Sequence, residues 1–349
     1  MLGLRRPWAP SRRPRRALAV LLLALLTGAT ACGGFAVGGE DDTVRVYSGR
    51  HYDLEAAFQR FHEDTGINVE FLFGGDAELR ERLASEGADT QADVYMTVDA
   101  ANLALAAEQG LFQPVESQTL TGAMPANLRD PHNRWFGLSM RARTLVYDPD
   151  EVDAQQLSTY EALTQPRWQG RVCMRNSTNS YTQSLVASLI AHHGFDRALE
   201  IVAGWVDNDV EILNSDVRII DTVAANGSCD VGVVNHYYLA RRRDKEPDLG
   251  VALMWANQNG RGTHVNVSGA GVTRHADNPQ LAQRLIEWLA TDGQTAFNHG
   301  NHEIPVNPDV APDPLVAQWG DFTQDELNAQ RVGALNDEAV ELMSEAGYE

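Results

Sequence analysis

The chain has 349 residues, 28 of them Lys or Arg and 48 Asp or Glu, for a net charge of −20. So acidic a surface argues against nucleic acid or an anionic membrane as partner, because both would repel it. The length exceeds what one small core needs and suits two domains.

Residues 1–31 read as a secretory signal rather than as part of the fold. Arg5, Arg6, Arg12, Arg13, Arg15 and Arg16 form a basic start, and Ala17 to Leu26 is an apolar run too short to span a bilayer. Small residues follow, then Cys32 stands where a bacterial lipoprotein carries its lipidated cysteine, although Ala29 replaces the usual Leu three residues earlier. Residues 32–42, with Gly33, Gly34, Gly38 and Gly39, read as a flexible tether. Without the six leader arginines, 22 basic residues face 48 acidic ones, a net of −26.

Strands and helices then alternate. Residues 43–48 are a strand by alternation. Residues 52–65 put Leu54, Phe58 and Phe61 on one helical face, closed by Gly66. A strand over 67–73 precedes a helix bearing Leu79 and Leu83, for which Asp76 is the expected cap. Residues 92–98 form a third strand, and Asp99 caps the next helix, ended by Gly110. This rhythm implies a parallel sheet with crossover helices.

Residues 135–147 are long for a strand and fit a crossing between domains. Ser158-Thr159-Tyr160-Glu161 reads as a capping box. A strand over 171–174, helices over 181–193, 196–206 and 216–225, and a buried strand over 230–235 follow. A second extended segment, 263–273, is another candidate crossing. A helix over 279–290 and an amphipathic tail over 323–346, through Leu327, Leu335, Val340, Leu342 and Met343, complete the chain. Two extended crossings between two α/β lobes describe a hinged clamp with a cleft between the lobes. Cys173 and Cys229 both fall near the start of expected strands; they can pair outside the cytoplasm or remain buried thiols.

Phenols mark the places where strands hand over to helices or loops: Tyr52 beside His51, Tyr181, and the adjacent Tyr237 and Tyr238. In α/β folds, ligands gather at the carboxyl ends of strands. A phenol with a pKa of about 10 binds metal only after losing its proton, and only a hard, highly charged cation makes that favourable near neutral pH. Ferric iron is the common biological candidate. A single tyrosine is ordinarily a packed ring with its hydroxyl at water; the reading rests on the set.

The chain resembles the periplasmic iron-binding proteins of ferric-iron ABC transporters, most of all the branch typified by the cyanobacterial Fut proteins. YSGRHY, SEGADTQADV, WFGLSMRARTLVY, NSTNSYTQSLVAS, NHYYLAR, GRGTHVNVSGAGV and EAVELMSEAGY carry the likeness in order, from Val44 to the end of the chain. The resemblance implies a two-lobed periplasmic-binding-protein fold of type II, two α/β domains joined by two hinge strands. Lobe 1 would take 43–142 with 266–308, and lobe 2 143–265 with 309–349. It implies Fe³⁺ as the transported ligand, held by Tyr52, Tyr181, Tyr237, Tyr238 and His51. Arg141 of the RAR motif would stand beside the metal, with Arg143 on the same strand face as second choice. Another branch uses a glutamate after the ADV strand; here that position is Val98, so a tyrosine-rich site without Glu is expected. An anion such as carbonate could complete the shell. The implied partner is an ABC permease with its ATPase, and the implied state is a periplasmic or cell-surface monomer touching the membrane only through a lipid anchor.

Other readings are weaker. His299-Gly300-Asn301-His302 has HxxH spacing without a third ligand. Ser268 lies in VSGAG, which is no GxSxG elbow. Nothing points to a reacting centre, so a binding protein is expected rather than an enzyme. The alternatives are the same clamp binding sulfate, polyamine or thiamine, and an iron-dependent extracytoplasmic enzyme with open coordination sites.

Overall fold

The computed structural model describes residues 42–51 and 54–349. The expected leader, the tether with Cys32, and Tyr52 lie outside the described residues. Strand β1 (Thr43–Ser48) has the bounds its alternation predicts. Helix α1 (Glu55–Thr65) buries Ala57, Phe58 and Phe61 and stops at Gly66, whose φ of 75° returns its N–H to the His62 carbonyl. A residue without Cβ takes that left-handed turn at no steric cost.

Strand β2 (Asn68–Phe73), α2 (Asp76–Glu86), β3 (Val94–Thr97) and α3 (Ala100–Glu108) complete the first unit. Asp99 caps α3 as expected, accepting from Asn102 N–H at 3.0 Å. Asp76 does not cap α2. Gly75 holds the cap position without a side-chain bond, and the Asp76 carboxylate instead accepts from Val98 N–H at 3.1 Å. A short α4 (Gln118–Ala123) leads to β4 (Phe136–Tyr147).

The second half carries β5 (Val172–Arg175), α5 (Ser180–His193), α6 (Phe195–Asp207), β6 (Glu211–Leu213), α7 (Asp216–Ala224), β7 (Val231–Asn235), α8 (His236–Lys245) and β8 (Ala252–Met254). The expected capping box is corrected. Thr159, not Ser158, takes the Ala162 N–H, and only a four-residue 3₁₀ turn follows. Then come β9 (Val265–Val272), α9 (Pro279–Ala290), α10 (Gln294–His299), β10 (Ile304–Pro305), α11 (Pro314–Ala317), α12 (Ala329–Ala334) and α13 (Asn336–Glu345). The single amphipathic tail is also corrected: it is two helices meeting at Leu335, and Val340 faces solvent. Gly333 lets α12 approach α3, since a Cβ there would sit 2.7 Å from the Ala100 carbonyl.

The strand order is β2-β1-β3-β9-β4-β7-β5-β6, with β10 and β8 also pairing β4. Strand β1 is parallel to β2 and β3, and β5 to β6 and β7, as crossover helices require. Strand β9 is antiparallel to β3 and β4, and β4 to β7. The pairing of β4 changes within one residue: Ala142 opposes Val265 of β9, and Arg143 opposes Asn235 of β7.

Thr43–Glu349 forms one compact unit, inside which the buried apolar side chains segregate. One cluster runs from Val44 to Ala142 and takes in most of Val265 to Ala329. A second gathers Leu145 to Ala256 with Val332 to Tyr348, and a third, smaller one packs α7 against β7. Strand β4 passes from the first cluster to the others at its pairing switch.

Candidate metal centre

Strands β5 and β7 are parallel neighbours, so their carboxyl ends open on the same edge of the sheet. After β5 the chain turns, and Asn179 caps α5 by accepting from Tyr181 N–H at 3.1 Å, which fixes Tyr181 in the first turn. After β7, α8 starts at once, with Tyr237 and Tyr238 in its first turn. The Tyr237 hydroxyl therefore donates to the Tyr181 hydroxyl at 3.2 Å, and the Tyr237 and Tyr238 rings lie 4.3 Å apart. Tyr237 is buried, while Tyr181 and Tyr238 are half-buried.

Burial pushes the Tyr238 phenol up to about 12, helped by the nearby Tyr181 and Asp216 charges and opposed by a Tyr237 hydrogen bond and Arg175. Arg141, buried on β4, places its guanidinium 5.7 Å from the Tyr181 ring and donates to the Val98 carbonyl. Arg241 stands 5.4 Å over the Tyr237 ring. Arg143 is directed elsewhere. It lies 2.5 Å from Asp216 Oδ1, and Arg175 holds the other oxygen at 2.9 Å. Asp216 also accepts from Asn235 N–H at 3.0 Å, immediately before α8. It reads in the sequence as an ordinary acid in a first helical turn, and only the fold reveals its position behind the phenols.

His51 is exposed at the carboxyl end of β1, with Nδ1 on the Gly49 carbonyl at 3.2 Å. Beside it Arg50 is fully buried against Glu303 at 2.5 Å. Burial raises the Glu303 acid, but Arg50 and Arg141, with a Ser139 hydrogen bond, hold it down at about 2. Across from this loop, Asp76 Oδ1 fills the space where a Gly49 Cβ would stand, 1.6 Å from that position. Burial pushes Asp76 up to about 7; Asp99 adds to the rise, and Val98 N–H and Arg141 oppose it. Val98 thus serves through its backbone: its N–H goes to Asp76 and its carbonyl to Arg141.

The structure brings Tyr181, Tyr237, Tyr238 and Arg141 together, turns Arg143 to Asp216, and leaves His51 at the carboxyl end of β1. His299 and His302 have separate partners, the Ala311 carbonyl at 3.0 Å and Asp313 at 2.9 Å. Cys173 and Cys229 are joined as a disulfide, their Cα atoms 5.7 Å apart. Three phenol oxygens beside guanidinium groups suit a hard cation that displaces phenolic protons, because the arginines offset the negative charge so created.

A mixed sheet with convergent polar groups at strand ends, crossed by a strand that runs between two apolar cores, defines the architecture of an extracytoplasmic solute-binding protein. The chain belongs to the bacterial extracellular solute-binding protein family, whose model matches residues 56–324. It is 40% identical over 319 residues to iron uptake protein A1 of Synechocystis, covering 89% of this chain and 88% of that relative. Among solved structures it is similar to the Trichodesmium IdiA/FutA protein in complex with iron and citrate (TM-score 0.84, 41% identity, 88% of this chain and 100% of that one). It is likewise similar to apo FutA2 of Synechocystis (TM-score 0.83, 38% identity, 89% and 100%). These relatives belong to the branch that the sequence motifs resemble. Among the described residues, no helix is long and apolar enough to cross a membrane.

Proposed function

We propose that this chain captures ferric iron outside the cytoplasm and delivers it to an ABC permease and its ATPase for uptake. The reading rests on one observation above others: Tyr181 and Tyr237, 56 residues apart, have their hydroxyls 3.2 Å from each other beside Tyr238 and Arg141. The phenolates of Tyr181, Tyr237 and Tyr238 are the ligands from one lobe. Tyr52 is the ligand from the other, on the strength of its RHY motif, with His51 beside it. Arg141 offsets the charge of the phenolates. Relatives that carry iron in their names, and one solved with iron and citrate, support iron as cargo with an anion in the remaining coordination positions.

The lobes we propose are 43–142 with 266–308, and 143–265 with 309–349; the change of apolar cluster after Ala142 supports the first boundary, whereas Val316 and Ala329 pack with the lobe-1 cluster. The protein acts as a monomeric binding protein rather than an enzyme, tethered to the membrane by lipid on Cys32.

The test is a visible absorption titration of the protein lacking residues 1–39 with chelated Fe³⁺. A saturable orange-red band at one iron per chain, lost in Tyr237→Phe, is the phenolate-to-iron charge transfer the reading requires. A colourless protein that leaves iron on the chelator sinks it.

A further inference from the structure

His236 stands between the strand switch and the phenols. On one edge of β4, β10 pairs with Ser139 and Met140, and β7 begins only at Arg143. The gap between them is filled by the His236 ring. Its Nδ1 accepts from Ala142 N–H at 3.2 Å, and its Nε2 faces the His302 carbonyl at 3.0 Å, just ahead of β10. An amide donor on one nitrogen and a carbonyl acceptor on the other fix the Nε2–H tautomer. The ring is fully buried and packs edge-on to Tyr237, with centroids 5.9 Å apart.

These bonds tie the start of α8 to both sides of the sheet junction. Glu303, next in the chain after His302, holds Arg50, which adjoins His51. A short buried path therefore runs from the first ligand loop through Arg50, Glu303, the His302 carbonyl and His236 to Tyr237. We propose that His236 is a positioning residue, a cross-brace that sets where Tyr237 and Tyr238 stand relative to the strand junction and the His51 loop. The proposal rests on the ferric-site reading. It adds that the phenols are aimed by an imidazole that binds no metal itself, as partners behind metal ligands generally orient them.

The experiment compares His236→Phe, which makes neither bond, with His236→Asn, whose amide can occupy the Nδ1 position, and His236→Gln, which can reach the Nε2 position. Each is titrated with chelated Fe³⁺ and melted in the metal-free form, with wild type and Tyr237→Phe alongside. The expected result is a loss of iron affinity of about ten- to a hundred-fold in His236→Phe, with a shifted charge-transfer band. Smaller losses are expected in the two amides. Wild-type affinity and band position in His236→Phe, while Tyr237→Phe loses both, overturn the proposal and leave the ferric site standing. A lowered melting temperature with unchanged affinity and band also overturns it, because the ring would then serve folding alone. If His236→Phe does not fold, the two amides decide: wild-type binding in both overturns the brace. Absence of iron binding in wild type overturns the ferric reading, and this proposal with it.

Discussion

At the scale of single residues, burial holds the Tyr238 phenol in its neutral form. Tyr238, pushed up to about 12, keeps its proton throughout the neutral range, so a cation that binds its oxygen must expel that proton. Each expelled proton makes affinity rise about ten-fold per pH unit. Iron affinity measured by chelator competition from pH 6 to 8 should therefore climb steeply. Tyr238→Phe should lower both the affinity and the slope, the slope by about one proton; an unchanged slope would remove Tyr238 from the ligand set. Asp76 offers a second pH test. Its value in the fold, about 7, is above that of an ordinary carboxyl, so the fold favours the protonated form. The stability this group contributes is fully present below about pH 4 and lost as pH rises through 7. Asp76→Asn mimics the protonated acid and should stabilise the metal-free protein by about 1 kcal/mol at pH 8, with little effect near pH 4. Melting curves at the two pH values check this, and an equal effect at both would contradict it. Val98→Ala should leave iron binding unchanged, because Val98 contributes its backbone groups.

At the scale of elements, strands β5 and β7 deliver the phenols, and the Cys173–Cys229 disulfide joins the chain where both strands begin. The cross-link closes a sequence separation of 56 residues, for which chain entropy alone gives a stabilisation of about 4 kcal/mol. It lies at the amino ends of the strands, away from the carboxyl ends where iron would sit. Replacing both cysteines by serine should thus lower the melting temperature by roughly 5–10 °C and change iron affinity far less than Tyr237→Phe does. A loss of affinity as large as that of Tyr237→Phe would tie the disulfide to the site. These same elements show what the sequence makes legible. Strand β1 and helix α9 announce themselves by alternation and a 3.6 period, and β4 by its length. Tyr181 and the Tyr237–Tyr238 pair are legible because each opens the first helical turn after a strand, Tyr181 across a short turn and the pair at once. The short strands β6, β8 and β10 carry no period to read. Asp76 and Asp216 look like helix-start residues in the sequence, and His236 like the residue that follows a buried strand. Their partners lie 22, 73 and 94 positions away, at Val98, Arg143 and Ala142. Only the folded sheet brings such pairs together.

At the scale of the whole molecule, Arg141 reaches from the strand junction toward the phenols. It leaves β4 one residue before the pairing switch, holds the Val98 carbonyl at the end of β3, and faces Tyr181 at the start of α5. In the two-lobe reading, Val98 belongs to one lobe and Tyr181 to the other, so this guanidinium touches both walls of the cleft. Iron with ligands from both lobes favours the closed arrangement only by its differential affinity for it. Phenolates formed on binding strengthen the pull on Arg141, because a charged acceptor replaces a neutral ring. Binding of iron should therefore shrink the radius of gyration of the wild-type protein in solution scattering. Arg141→Met keeps much of the side-chain volume but removes the charge. It should bind iron about ten- to a hundred-fold more weakly, and at saturating iron it should close less completely than wild type. Equal radii for wild type with and without saturating iron would contradict the hinged clamp. Full closure of Arg141→Met at wild-type affinity would instead retain the clamp and assign its closure to the metal and phenols alone.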